Sequence, residues 1–217
     1  MSETRLTPIG SHAVLFQVDC PFDLEHQQRI WALSDACAAW PGIREAVPGM
    51  TNLTLLFDHV PEDLARISDE LTKLWTSGIR KEVEGKLLEI DITYGGKGGP
   101  HLADVSDLTG LSIDEVVRLH SAPDYTVYAV GSHAGYCYLG GLDPRLETPR
   151  RKVPLTRLPG GSLSVAGLQT GVSASDGPSG WNTIGSAEVR FFDPTREPAA
   201  LLRPGDRIRF KPVEVAP

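Results

Sequence analysis

Apolar positions in the first part of the chain follow two periods. Ile30, Leu33, Cys37 and Trp40 recur at i, i+3, i+7 and i+10, the spacing of one helix face. They predict a helix over 23–40, stopped by Pro41-Gly42. Leu64, Ile67, Leu71 and Leu74 repeat that spacing and predict a second helix from about Pro61 to Thr76. Pro61 suits its first turn, and both apolar stripes read as core. Residues 4–18 read as extended, most clearly over Ala13–Val18. Ile43–Val47 and Asn52–Phe57 read as strands joined through Pro48-Gly49, and Leu87–Tyr94 alternates as a strand. The order β-α-β-β-α-β is that of a ferredoxin-like split βαβ unit, which places a first domain at residues 1–92.

A second domain, residues 93–217, follows the hinge-like Tyr94-Gly-Gly-Lys-Gly-Gly-Pro100. Two short helices come first. The second opens at Ser112 with Glu115 three residues on, a capping box, and Val116 and Leu119 suit a core. After His120 the pattern changes to short apolar runs: Tyr125–Val130, Ser162–Ala166, Glu188–Phe192 and Arg207–Phe210. Gly- and Pro-rich turns separate them, which predicts a β-barrel or sandwich and an α+β chain overall.

Composition narrows the function. Of the 217 residues, 41% are hydrophobic and 23% charged, as in ordinary globular proteins. A net charge of −7 argues against a nucleic-acid partner. No apolar run is long enough to span a bilayer, and the N-terminus lacks a signal-peptide core. Cys20, Cys37 and Cys137 form no C-x-x-C pair, so we expect no zinc site or disulfide framework and a reducing, cytoplasmic setting. Gly95-Gly-Lys-Gly-Gly99 lacks the spacing of a phosphate loop and reads as a flexible interdomain connector.

The candidate chemistry gathers in Gly160–Trp181, a stretch rich in glycine and hydroxyls with almost no charge. Backbone that bends sharply and admits another molecule has this composition. Gln169 offers a donor and an acceptor, Thr170 a hydroxyl and Trp181 a flat apolar wall, which together suit a small amide or lactam. Arg150 opens the basic triplet Arg150-Arg151-Lys152, suited to a carboxylate or phosphate. His120, at a predicted helix C-terminus where its charged form is favoured, is either a general acid or base near neutral pH or a hydrogen-bonded capping residue. His133 and Cys137 invite a thiol–imidazole reading, but no orienting carboxylate is apparent. His101 suits a helix start better than a metal site, and no metal is expected.

Several motifs recur together in one known family. They are Tyr94-Gly-Gly-x-x-Gly-Pro100, Tyr138-Leu-Gly-Gly141, Thr148-Pro-Arg150, Gln169-Thr-Gly171, Gly180-Trp181, Phe192-Asp-Pro194 and Pro204-Gly-Asp206. In order and spacing the chain resembles the 5-oxoprolinase B-subunit family, also known as allophanate hydrolase subunit 1 and as inhibitors of a sporulation histidine kinase. The resemblance implies a cyclophilin-like β-barrel after a small α/β domain. It implies a C-type partner subunit, joined in the 5-oxoprolinase reading by an A-type hydrolase. It also implies ring opening of 5-oxoproline with ATP bound at a partner or a shared interface. Tyr138, inside a family motif, joins Gln169, Thr170, Trp181 and Arg150 as a substrate-binding candidate, with His120 the catalytic candidate. Alternatives are a regulatory protein that blocks a histidine kinase and a carboxyltransferase-type protein acting on urea or allophanate. The chain departs from the family over Gly131–Gly140, where Ser132, Ala134, Tyr136 and Cys137 replace the usual aromatics and prolines.

Overall fold

The structure, a computed structural model, describes residues 3–216. It divides into two compact units between Val83 and Glu84, earlier than the expected boundary near residue 92.

The first unit begins with a hairpin. β1 (Thr4–Ile9) and β2 (Ala13–Val18) pair antiparallel across a turn at Gly10-Ser11-His12. α1 (Leu24–Ala38) follows, capped by the Asp23 carboxylate, which accepts the His26 N–H at 2.9 Å. β3 (Ile43–Pro48), β4 (Asn52–Phe57) and α2 (Leu64–Thr76) complete the unit. The sheet order is β1-β2-β4-β3, antiparallel throughout. Val14, Phe16, Leu53 and Leu55 pack with Ile30, Leu33 and Cys37 of α1 and with Ile67, Leu71 and Trp75 of α2 in one core. The order is therefore β-β-α-β-β-α, and the ferredoxin-like expectation is corrected. Residues 4–18 make two strands instead of one, and the strand expected at Leu87–Tyr94 belongs to the other unit.

That strand, β5 (Leu87–Gly95), opens the second unit. After α3 (Leu102–Thr109) and α4 (Ile113–Ser121) come β6 (Asp124–Val130) and β7 (Cys137–Gly140). β8 (Leu155–Leu158), β9 (Ser162–Ala166) and β10 (Gln169–Val172) follow, then β11 (Gly177–Ser179), β12 (Asn182–Ser186) and β13 (Arg207–Ala216). Seven strands close a barrel in the order β10-β7-β6-β13-β5-β12-β9, with β9 also paired to β10. β8 and β11 form a separate two-stranded ribbon. The first and last strands, β5 and β13, lie side by side and parallel. Asp206 anchors that pairing from inside, its carboxylate accepting the Lys86 and Arg203 N–H groups at 3.0 Å each. The predicted capping box is present at Ser112 and Glu115.

Two further expectations change. Residues 95–99 are a packed turn within the second unit, not an interdomain connector. Gly95 takes φ +74°, and a Cβ there would collide with the Ala216 carbonyl. Glu188–Phe192 forms no strand; Phe191 is buried, and an isolated bridge joins Phe192 to Ala200. Among the described residues, no helix is long and apolar enough to cross a membrane.

Candidate functional site

A cleft of about 240 Å³ lies on the barrel, where β7, β9 and β10 meet the loops before β7 and β12. Alternation along β7 turns Tyr138 into this cleft, between the buried Cys137 and Leu139. Tyr136, two positions earlier and so of the same parity, meets it edge to face at 5.0 Å between ring centres. His133 stacks obliquely on Tyr136 at 5.0 Å. Ser164 from β9 and Gly171 from β10 form the floor, with Ser132, Ser173 and Ser179 nearby.

In the same cleft, Arg150 extends its guanidinium over the Trp181 ring at 5.6 Å from the centroid. The backbone holding Arg150 is strapped down. Asn182 Nδ2 donates to the Pro149 carbonyl at 3.0 Å, the Gly167 N–H donates to Thr148 at 2.6 Å, and the Arg151 N–H donates to Gly180 at 2.8 Å. Arg150 has no carboxylate within ion-pair distance among the described residues, whereas Arg151 is turned aside to Asp104 at 3.3 Å. Of the basic triplet, Arg150 alone lines the cleft. The site thus offers an unneutralised cation on an aromatic wall, in one cleft with two phenols and a set of hydroxyls.

Tyr138, Arg150 and Trp181 are brought together as the sequence suggests; Gln169, Thr170 and His120 are not in the lining. Gln169 is half-buried at the start of β10. Thr170 points inside the barrel, where His120 Nε2 stands 2.8 Å from its hydroxyl. His120 Nδ1 is 2.8 Å from the Tyr94 hydroxyl, and the imidazole stacks on Phe210 at 5.2 Å. Burial holds His120 neutral, lowering its pKa to about 3. The helix end expected to favour its charged form is outweighed by full desolvation, so a role as acid or base near neutral pH is corrected.

Burial also pushes the Cys137 thiol up to about 12, and the thiol donates to the Gly135 carbonyl at 3.5 Å. The thiol–imidazole reading with His133 has no geometric support. His101 caps α3, its Nδ1 accepting the Thr183 N–H at 2.9 Å. Ser164 and Gly171 fall within the Gly160–Trp181 stretch without being singled out there, and Tyr136, which also lines the cleft, is flagged by the parity it shares with Tyr138. A larger groove of about 830 Å³ runs beside β5, but among the described residues no aromatic ring or unpaired cation faces it.

Comparison with known proteins agrees with this architecture. The carboxyltransferase domain family, subdomain C and D, matches residues 4–202. The B subunit of 5-oxoprolinase from Escherichia coli O157:H7 is 42% identical over 98% of this chain and 97% of its own. The crystal structure of TTHA0988 superposes with a TM-score of 0.74 at 35% identity, covering 94% of this chain and 40% of that one. This chain therefore spans well under half of that solved protein. The K. lactis urea amidolyase superposes with a TM-score of 0.81 over 97% of this chain and 15% of its own, and at 18% identity that likeness speaks to the fold alone. On this evidence the chain belongs to the carboxyltransferase-domain family, subdomain C and D, among the 5-oxoprolinase B-subunit proteins.

Proposed function

We propose that this chain is the B-type subunit of an ATP-dependent 5-oxoprolinase-like hydrolase, opening 5-oxoproline or a related small lactam together with a C-type partner. One observation carries the reading: an unpaired Arg150 guanidinium lies over Trp181 in a cleft of about 240 Å³. Arg150 takes the substrate carboxylate, Trp181 packs on the ring, and the hydroxyls of Tyr136 and Tyr138 meet the lactam carbonyl and N–H. Thr170 and His120 act from behind this wall as positioning residues.

The cleft, at about 240 Å³, is below the roughly 300–1,000 Å³ typical of drug-sized ligands, which supports a separate site for ATP. The glycine turn at 95–99 is packed against Ala216 and Ile184 and leaves no phosphate cradle. We therefore place ATP on a partner or at a shared interface, where it supplies the driving force for ring opening. The test is 5-oxoproline-dependent ADP release by the complex purified with its C-type and A-type partners, the isolated chain being inactive. Full activity in an Arg150→Ala, Trp181→Ala double variant would remove the reading.

A further inference from the structure

β5 is paired along its whole length on one side only. β13 runs beside it from Leu87 to Gly95. On the other side β12 pairs with it only at Thr93 and Tyr94. From Leu87 to Ile92 the second edge faces no strand among the described residues. The Arg207 N–H donates to the Lys86 carbonyl at 2.8 Å, so Lys86 points its peptide groups at β13. Because a strand alternates, the N–H and C=O of Leu87, Glu89 and Asp91 point to the open edge. The same alternation carries Thr93 to β12, where it meets Ser186. Across the open edge, Leu87, Glu89 and Asp91 have no backbone partner among the described residues.

This edge opens on the groove of about 830 Å³. Asp91 and Glu188 stand on its two sides, and Val189 and Val213 supply apolar surface, Val213 being 60% exposed. Glu89 is engaged by Arg209 at 3.4 Å and Lys211 at 3.5 Å. Asp91 and Glu188 have no ion-pair partner among the described residues, so the groove is acidic with apolar patches between. An open edge is a template for strand addition, and Leu87–Ile92 carries no proline to blunt it. Self-pairing of two such edges would set carboxylates against carboxylates, which is destabilising.

We propose that this edge docks an extended segment of a second polypeptide with lysine or arginine at alternate positions, added as a strand beside β5. Six residues span about 20 Å at roughly 3.3 Å each, an ordinary strand length. The inference is independent of the substrate assigned to the cleft.

Amide hydrogen exchange by NMR on the full chain tests it, with a blocked six-residue peptide of alternating lysine and valine as probe. The Leu87, Glu89 and Asp91 amides exchange quickly in the free chain and slow on saturation with the peptide. A peptide of the same charge with a central proline gives no such protection. An Asp91→Lys, Glu188→Lys variant binds the lysine peptide about tenfold more weakly and prefers a glutamate–valine peptide. Equal protection by the proline peptide, binding that leaves these three amides unprotected, or no binding at all would each overturn the proposal. Concentration-dependent protection without peptide would overturn it too, by assigning the edge to a second copy of the chain.

Discussion

His120 Nε2 lies 2.8 Å from Thr170 Oγ1, and that hydroxyl in turn donates to the Ser164 carbonyl at 3.1 Å. A hydroxyl has one proton to give, so Thr170 accepts from Nε2–H and the Tyr94 hydroxyl donates to Nδ1. The result is a neutral imidazole of fixed tautomer behind the cleft. Through Thr170 it braces Ser164 and the strand carrying Gly171, both of which line the cleft.

Acid sensitivity follows from that burial. An unfolded imidazole takes up its proton near pH 6.5, while folded His120 resists until about 3. Between those values the unfolded state holds more protons, so this residue lowers stability as pH falls. For one such group the loss from pH 7 to pH 5 is about 2 kcal/mol. Urea unfolding of His120→Gln should show lower stability at pH 7 but about 2 kcal/mol less loss on going to pH 5.

Arg150 has a direct readout in substrate preference. Removing a charged hydrogen-bond donor should raise KM for a carboxylate-bearing lactam by about 10- to 100-fold in Arg150→Ala. A lactam with no carboxylate should be turned over equally by both proteins. Arg150→Lys should recover only part of the loss, since an ammonium lacks the planar fork.

Gly171 is a gauge of cleft width. A Cβ added there would sit 3.0 Å from the Tyr136 hydroxyl. Gly171→Ala should cost about 1–3 kcal/mol in thermal unfolding and weaken ligand binding. In a Tyr136→Phe background the same substitution should cost less, because the crowded oxygen is gone. Equal costs in both backgrounds would show that Tyr136 does not crowd this position.

Thiol chemistry separates the three cysteines. Burial pushes Cys37 and Cys137 each up to about 12, while Cys20 is only half-buried. Iodoacetamide at pH 8 should label Cys20 first and reach the other two only on unfolding. Rapid labelling of Cys137 would restore the pairing with His133.

What was legible in the sequence was local. The stripe Ile30, Leu33, Cys37 and the Ser112 capping box depend on neighbours within a few residues, and both are present. The fate of Leu87–Gly95 was not legible, because alternation says that a strand forms but not which sheet receives it. Its partner β13 lies roughly 120 residues on, as the Lys86–Asp206 hydrogen bond records. In the site, Arg150 and Trp181 were readable from their motifs. Thr170 and Gly171 sit on opposite faces of one strand, and only the barrel's closure decides which of the two faces the cleft.

The side-by-side placement of β5 and β13 carries an order of events during synthesis. A nascent chain stalled before Arg207 already has every segment of its first core, yet its barrel remains an unclosed sheet in which β5 lacks its full-length partner and meets only β12, at Thr93 and Tyr94. Closure waits for β13 to leave the ribosome, so the half that holds the cleft matures after the N-terminal half has set.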